Sequence, residues 1–192
     1  MAALKKRPTA ILIAVFIVVI GTLFGVHRSV GSETAKIEAL FYNGVYMTDE
    51  RYTQPSIDAQ LKKRHTAALG LVSVANNYSD LKELTNTLSQ ARLALNDAAT
   101  IPAKYAANEK MQAAYKNLYA SLVQHTLKDN EKASSGSYAE TLNGAQGVIE
   151  QSDYNRMVSD FRNSTLGVFP VNILKNMAFA HYPDYFGQEG SN

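Results

Sequence analysis

The stretch "IDAQLKKRH", residues 57–65, places three basic side chains and a histidine next to one another in a chain otherwise poor in charge clusters. Basic clusters can bind phosphate groups, and a histidine near charges is a candidate metal ligand or proton carrier. Successive residues of a helix lie about 100° apart, so Lys62, Lys63, Arg64 and His65 would point around nearly the whole circumference. These four side chains therefore do not form one binding surface.

Arg64 differs from its neighbours because it belongs to the inner face of the same predicted helix. That face is marked by the apolar residues Ile57, Leu61, Ala68 and Leu71. A buried guanidinium needs an acceptor, since an unpaired charge inside a protein is too costly to retain. Asp58 lies six residues away and is not a neighbour on the helix, so we expect an acceptor from another helix, with Asp153 and Glu150 as candidates. A buried polar network is the main interpretation, and a ligand-binding role is the alternative.

The other residues that could do chemistry lack the spacing that chemistry requires. No two histidines are three or four positions apart, and the chain contains no cysteine. Motifs of a glycine-rich phosphate loop or of a nucleophile elbow are also missing from the sequence. We therefore expect no catalytic residue, no cofactor site and no metal site, and a protein that is not an enzyme.

The formal net charge of +2 originates at the N-terminus. Lys5, Lys6 and Arg7 precede the first apolar run and no acidic residue does, so the chain from His27 onward has 16 basic against 17 acidic residues. A domain with a net charge of −1 has no excess of cations with which to displace the counterions of a nucleic acid. We expect no nucleic-acid partner.

Residues 9–26, "TAILIAVFIVVIGTLFGV", carry no charge. As a helix they would be about 27 Å long, close to the hydrocarbon thickness of a bilayer. A cleaved signal peptide is the alternative, but the apolar run is long and no A-x-A cleavage site follows it. Three basic residues before the run against two soon after it predict a short cytoplasmic tip, residues 1–8, with the remaining chain outside the cytoplasm.

Behind the anchor, and after a break at "VGS", apolar residues recur every three or four positions, which is the period of an α-helix. We predict helices with approximate bounds 37–45, 57–95, 108–128 and 137–165. Such long apolar stripes must be buried on one another. The sequence therefore predicts an all-α protein: a transmembrane helix, a juxtamembrane segment (27–36) and an antiparallel up-and-down bundle of about four helices (37–168).

A few residues set the predicted ends of the longest helix. Thr53 or Gln54 is expected to cap it, with Pro55 in its first turn. Pro102 is expected to end the helical run, because proline lacks a backbone donor and disfavours helix at the residue before it. The polar stretch "NNYSD" interrupts the pattern at residues 76–80, where we expect a bend.

The C-terminal segment, residues 169–192, is apolar and aromatic and contains Pro170 and Pro183. We expect it to fold back on the bundle, because apolar area left in water costs about 25 cal/mol per Å². Contact with a membrane surface or with a partner is the alternative. The candidate interaction surface consists of its aromatic side chains Phe169, Phe179, Tyr182, Tyr185 and Phe186.

A set of short motifs in a fixed order resembles the LemA family. The motifs are "IDAQLKKRH", "LV" at 71–72, "AR" at 91–92, "YN" at 154–155, "FP" at 169–170 and "YF" at 185–186. The resemblance implies an N-terminally anchored, antiparallel helical bundle of bacterial origin with no established enzymatic activity. It also implies a set of structural signature positions: Ile57, Asp58, Gln60, Leu61, Lys63, Arg64, His65, Tyr154 and Asn155.

These observations predict a single-pass protein of the bacterial inner membrane that acts as a non-enzymatic scaffold or assembly protein. Its expected partners are other membrane or envelope proteins, or a second copy of itself. The alternative function is a bundle that senses a ligand or a lipid through a groove lined by the C-terminal aromatic residues.

Overall fold

The computed structural model describes residues 2–48 and 51–187, with side chains from residue 8 onward. The side chains of the predicted cytoplasmic tip and the last five residues of the predicted tail lie outside the described part of the chain. Within that part the protein is mostly helical, which confirms the predicted all-α fold class.

The first helix, α1 (Ala2–Asn43), is much longer than the predicted anchor. It passes through the "VGS" stretch, so the predicted break there is wrong. A single glycine costs a helix only about 1 kcal/mol, and no proline follows Pro8 within α1. Its part Pro8–Asn43 is long and apolar enough to cross a membrane, with a mean hydropathy of 2.7 in its most apolar window.

A short hairpin that the sequence analysis missed follows α1. Its strands are β1 (Val45–Met47) and β2 (Tyr52–Gln54), paired antiparallel with Val45 opposite Gln54. Gly44 starts the hairpin at φ +87°, and a Cβ atom there would overlap the carbonyl oxygen of Gln54. Only glycine fits both the backbone angle and the close approach.

The predicted long helix over 57–95 is in fact two helices, α2 (Ile57–Ala75) and α3 (Lys82–Asp97). The chain reverses between them through a 3₁₀ turn, Ser79–Leu81, and Tyr78 has extended backbone angles that an α-helix does not allow. Ser56 caps α2 by accepting a 3.1 Å hydrogen bond from the Ala59 amide, so the predicted caps at Thr53 and Gln54 are wrong.

The other two helices of the bundle are α4 (Ile101–Leu122) and α5 (Asp129–Glu150), and both begin earlier than predicted. Thr100 caps α4, and Pro102 lies in its first turn, where a missing N–H has no effect on the helical hydrogen bonds. Pro102 therefore marks the start of a helix. The Glu131 carboxylate accepts a 3.1 Å hydrogen bond from the Lys128 amide, which starts α5 in the segment predicted to be a turn.

Contacts between side chains establish the up-and-down arrangement of α2 to α5. Residues 58 and 64 of α2 contact residues 104 and 108 of α4 in the same order, so these two helices are parallel. Residues 64 and 70 of α2 contact residues 146 and 138 of α5 in reverse order, so α5 is antiparallel to α2. The predicted bundle of about four antiparallel helices is confirmed, although the predicted helix 57–95 supplies two of its members and the predicted helix at 37–45 is mostly the end of α1.

After α5 the chain forms α6 (Tyr154–Phe161), one π-helical turn (Arg162–Leu166) and α7 (Val171–Leu174). The molecule divides into two compact units. The anchor unit contains α1 up to Glu38 together with Arg156–Pro183, and the bundle unit contains Ala39–Asn155 together with the chain from Asp184 on. The core of the anchor unit consists of Val26, Val30, Phe161, Leu166 and Ala178.

Candidate functional site

The signature residues of "IDAQLKKRH" mostly form the inner face of α2. Ile57 and Leu61 belong to the hydrophobic core, and three polar members are also buried: Asp58, Gln60 and Arg64. Lys63 is exposed and His65 is half-buried. The sequence analysis placed Arg64 on the inner face, and its exposed fraction is 0%.

Arg64 joins three helices. Its Nη1 donates a 2.6 Å hydrogen bond to Asn108 Oδ1 on α4 and another hydrogen bond to Gln146 Oε1 on α5. Its Nη2 donates to Gln112 Oε1 on α4. Asn108 Nδ2 also donates to Gln146 Oε1 at 3.1 Å, which closes the network. α2, α4 and α5 are thus linked through one buried cation.

The acceptors of Arg64 are side-chain amides, so the prediction of Asp153 or Glu150 as its direct acceptor is wrong. Glu150 is connected to Arg64 through Gln146, whose Nε2 donates a 2.9 Å hydrogen bond to the Glu150 carboxylate. Amide oxygens carry no formal charge, so the guanidinium is hydrogen-bonded but not neutralised by direct contact.

Burial lowers the pKa of Arg64 to about 10, and the charges of Glu109, Glu150 and Tyr115 offset this effect in part. The guanidinium therefore stays protonated near pH 7. Its Nε is buried without a hydrogen-bond partner among the described residues. A charge with neutral partners and one unpaired donor is costly to bury, which makes this site sensitive to any loss of an acceptor.

Asp58 forms a second polar cluster at the start of α2. Its Oδ1 lies 2.6 Å from Lys104 Nζ on α4, and its Oδ2 lies 2.7 Å from Lys62 Nζ one turn along α2. Burial on its own would raise the pKa of the Asp58 carboxyl, but the hydrogen bonds and charges of Lys104 and Lys62 lower it below its ordinary value. Asp58 and Arg64 thus have different partners and belong to two separate polar clusters.

His65 connects α2 to α3. Arg92 Nη1 and His65 Nε2 are 2.7 Å apart, a contact in which the guanidinium donates to a neutral imidazole. Burial and the positive charge of Arg92 lower the pKa of His65 below its ordinary value, with a smaller opposing effect from Asp97. Across the described residues there is no group of three His, Asp or Glu side chains that could hold a metal ion.

Tyr154 and Asn155 bind the end of the chain. Tyr154 Oη donates a 2.7 Å hydrogen bond to the Asp184 carbonyl. Asn155 forms a pair of 2.9 Å hydrogen bonds with the backbone of Phe186, one to its carbonyl and one from its amide. The Phe186 ring packs against Phe41, with a 5.6 Å distance between ring centroids. The "YN" motif at 154–155 therefore contacts the chain around the "YF" motif at 185–186.

The five aromatic residues of the candidate interaction surface do not lie in one environment. Phe186 is buried in the bundle unit, so its ring is not presented to a partner. Tyr182 and Tyr185 are half-buried. Phe169 and Phe179 are highly exposed, and both belong to the anchor unit.

An open groove of about 510 Å³ lies between α2 and α5. Its walls contain small residues, the Tyr138 ring, hydroxyl groups and two lysines: Ala59, Lys62, Lys63, Thr66, Ala67, Ser137, Tyr138 and Thr141. None of the C-terminal aromatic residues lines it. The Tyr138 ring packs directly over Gly70, where an added Cβ atom would overlap it.

The sequence analysis missed the partners of Arg64 and Asp58, namely Asn108, Gln112, Gln146 and Lys104. One signal was present in the sequence. Asn108 is a polar residue three positions before Met111 on the apolar face of α4, and Gln146 stands next to Ala145 on the apolar face of α5. Polar residues on two facing apolar stripes are a sign of a buried polar contact.

A protein-family model matches most of the chain. The LemA family model matches residues 53–192. No curated protein matches the chain. No solved structure matches it either. The family match begins within the hairpin strand β2 and covers the whole four-helix bundle and the C-terminal segment, and the chain belongs to the LemA family.

Proposed function

We propose that this protein is a membrane-anchored, non-enzymatic helical scaffold that acts through protein–protein contacts at a bacterial membrane. The observation that carries the proposal is the apolar surface of α1. Its large apolar side chains between Ile11 and Ile20, and Phe24, are exposed. So large an apolar surface is stable in a bilayer and unfavourable in water.

The use of the polar residues supports a structural role for the bundle. Asp58 and Arg64 are buried, and both form hydrogen bonds with side chains of the bundle. His65 accepts from Arg92. Side chains that could act on a substrate are thus occupied in connecting helices, which gives a rigid body suited to presenting a surface.

The proposed location is the bacterial inner membrane, crossed once, with the N-terminus in the cytoplasm and the bundle outside it. The support is the charge distribution along the sequence. Three basic residues precede the apolar run, whereas Arg28 and Lys36 are the basic residues that follow it closely. A larger number of basic residues on the cytoplasmic side is the usual arrangement of single-pass proteins.

Site-specific photo-crosslinking in membranes tests the scaffold role. A photoreactive residue at Lys63, on the groove between α2 and α5, should give a discrete adduct with another envelope protein or with a second copy of the chain. The matched control is the same residue at Lys116, an exposed lysine of α4 that does not line the groove. Membranes that give no adduct at Lys63, or the same adducts at both positions, would contradict a specific role for this face.

A second candidate function, ligand or lipid sensing, is favoured by the groove itself. Its volume of about 510 Å³ lies within the usual range of small-molecule sites. Lys62 and Lys63 next to the apolar Ala59 and Ala67 suit an anionic amphipathic molecule. Native mass spectrometry of the protein extracted with its lipids tests this: a bound anion retained by the unaltered chain should be lost in Lys63→Glu.

A further inference from the structure

A short segment of the anchor unit exposes an unusual amount of apolar surface. We call this surface the apolar rim and define it by four exposed side chains of residues 168–179: Phe169, Ile173, Met177 and Phe179. Phe169 is 75% exposed and Phe179 is 87% exposed. A group of large apolar side chains left in contact with solvent is typical of an interaction site.

The same segment is fixed to α1 through its other side chains. Val171, Leu174 and Ala178 belong to or pack against the core that includes Val26 and Val30 of α1. His27 Nδ1 lies 2.9 Å from the Ala178 carbonyl oxygen, one residue before Phe179. The segment that carries the apolar rim is therefore packed on α1, and its Phe179 end lies beside His27.

The position of His27 along α1 is directly after the uncharged stretch. Leu23, which also packs against this core, lies within the uncharged stretch 9–26, and His27 and the exposed Arg28 are the first polar side chains after it. One helical turn rises about 5.4 Å, so Phe179, which follows Ala178, lies within about two turns of the point where α1 would leave the hydrocarbon. The lipid headgroups meet the glycerol ends of the acyl chains at this level.

The backbone at Phe179 gives an independent observation. Its φ is +49°, in the left-handed region that bulky residues rarely adopt. Ala178 before it is buried and held by His27, whereas Phe179 is almost fully exposed. The fold thus keeps an aromatic ring outside the core at the end of the anchor.

We propose that the apolar rim is a second membrane-contact site, which enters the interfacial layer of the same bilayer that α1 spans. This inference rests on the proposed anchoring of α1. Phe169 and Phe179 would insert among the acyl chains, and Arg28 would lie at the level of anionic headgroups. The C-terminal segment would then lie in the interfacial layer and fix the tilt and depth of α1.

Lipid quenching of tryptophan fluorescence tests the proposal on the full chain. The chain contains no tryptophan, so Phe179→Trp and Phe169→Trp each introduce a single reporter at an already exposed aromatic position. Phe16→Trp reports on the middle of the apolar run, and Leu69→Trp, at an exposed position of α2 in the bundle unit, is the matched control. Each variant is reconstituted in two kinds of nanodisc, with phospholipids brominated near the glycerol end of the acyl chain to report on the rim or near its methyl end to report on Phe16→Trp, and its helicity is checked by circular dichroism.

We expect bromine to lower the emission of Phe179→Trp and Phe169→Trp by about two-fold or more, and to leave Leu69→Trp unchanged. Quenching of Phe16→Trp without quenching at the rim would overturn this inference while the anchor stands. Absence of quenching at Phe16→Trp would instead contradict the anchor. If the emission of Phe179→Trp and Phe169→Trp changes on protein dilution and not with bromine, the rim contacts a second copy of the chain, which would also overturn the proposal.

Discussion

Arg64 on α2 and Asn108 on α4 form a 2.6 Å hydrogen bond between two side chains that are both fully buried. The bond places a cation at the point where α2, α4 and α5 meet, with uncharged amides as its acceptors. The polar network depends on the Arg64 guanidinium as its shared donor. If the guanidinium is removed, the amide oxygens of Gln112 and Gln146 both lose a hydrogen bond. Register and relative position of the three helices are thereby coupled.

Replacement of Arg64 should therefore be strongly destabilising. We expect Arg64→Ala to lower the free energy of unfolding by about 3–5 kcal/mol, because it leaves buried amides without a donor and opens a cavity. The measurement is denaturant unfolding in detergent, followed by circular dichroism. Lys63→Ala, which removes the neighbouring exposed cation, is the control and should leave the midpoint nearly unchanged. Equal effects of the two substitutions would show that the network contributes nothing.

The Asp58 cluster should make stability depend on acid pH. The pKa of Asp58 is lowered in the folded protein, so its contribution is complete above the ordinary carboxyl pKa of about 4 and is lost as pH falls through the folded value. Asp58→Asn should cost about 2 kcal/mol at pH 7, and the gap to the unaltered chain should narrow as pH falls below about 4.

Asp160→Asn is the matched control for Asp58→Asn, because Asp160 is an exposed carboxylate that contacts Arg156 one turn away on α6. Exposed pairs of this kind contribute little. Unfolding midpoints are measured from pH 7 to pH 3. A gap between the unaltered chain and Asp58→Asn that stays constant over this range would contradict the account of Asp58.

His65 should titrate below its ordinary pKa of about 6.5, since burial and Arg92 both disfavour its charged form. The lowered pKa means that this contact stabilises the folded state above about pH 6.5 and that its contribution is lost as pH falls through the folded value. Proton NMR of the imidazole measures the pKa. In Arg92→Gln the pKa of His65 should rise, and an unchanged pKa would show that Arg92 does not act on the ring.

Two glycines should respond in opposite ways to alanine. Gly136→Ala meets open space on α5, so it should raise the free energy of unfolding by about 0.5–1 kcal/mol through helix propensity. Gly70→Ala should lose that gain, since its Cβ atom would displace the Tyr138 ring. In a Tyr138→Ala background the gain should return. Thermal unfolding of the unaltered chain, Gly70→Ala, Tyr138→Ala and the double variant gives a double-mutant cycle. An effect of Gly70→Ala that does not depend on Tyr138 would contradict the packing described.

Much of the fold could be predicted from local patterns. The apolar run at residues 9–26 indicated a membrane span, the three-or-four spacing indicated helices, and the position of Arg64 on an apolar stripe indicated a buried cation. The interruption at 76–80 was recognised but interpreted as a bend, because Ala75, Tyr78 and Leu81 keep a helical spacing and the stretch includes no glycine or proline. Only packing of α3 against α2 decides between a bend and a reversal.

The partners of the buried polar groups were beyond the reach of sequence reasoning for a related reason. Lys104 is 46 residues from Asp58, and Gln146 is 82 residues from Arg64. Which side chains meet over such separations depends on helix register across the bundle, and the predicted start of the third helix at residue 108 excluded Lys104 from it. An error of two turns at a helix start, residue 108 instead of Ile101, was enough to hide this partner.

Protease accessibility in oriented membrane vesicles tests most directly whether the chain is an anchored bundle outside the cytoplasm. Our account predicts that protease added to right-side-out vesicles degrades the bundle, that the bundle is protected in inverted vesicles, and that the chain resists extraction by alkaline carbonate. Degradation confined to inverted vesicles would contradict the proposed orientation, and release of the intact chain by carbonate would contradict the anchor itself.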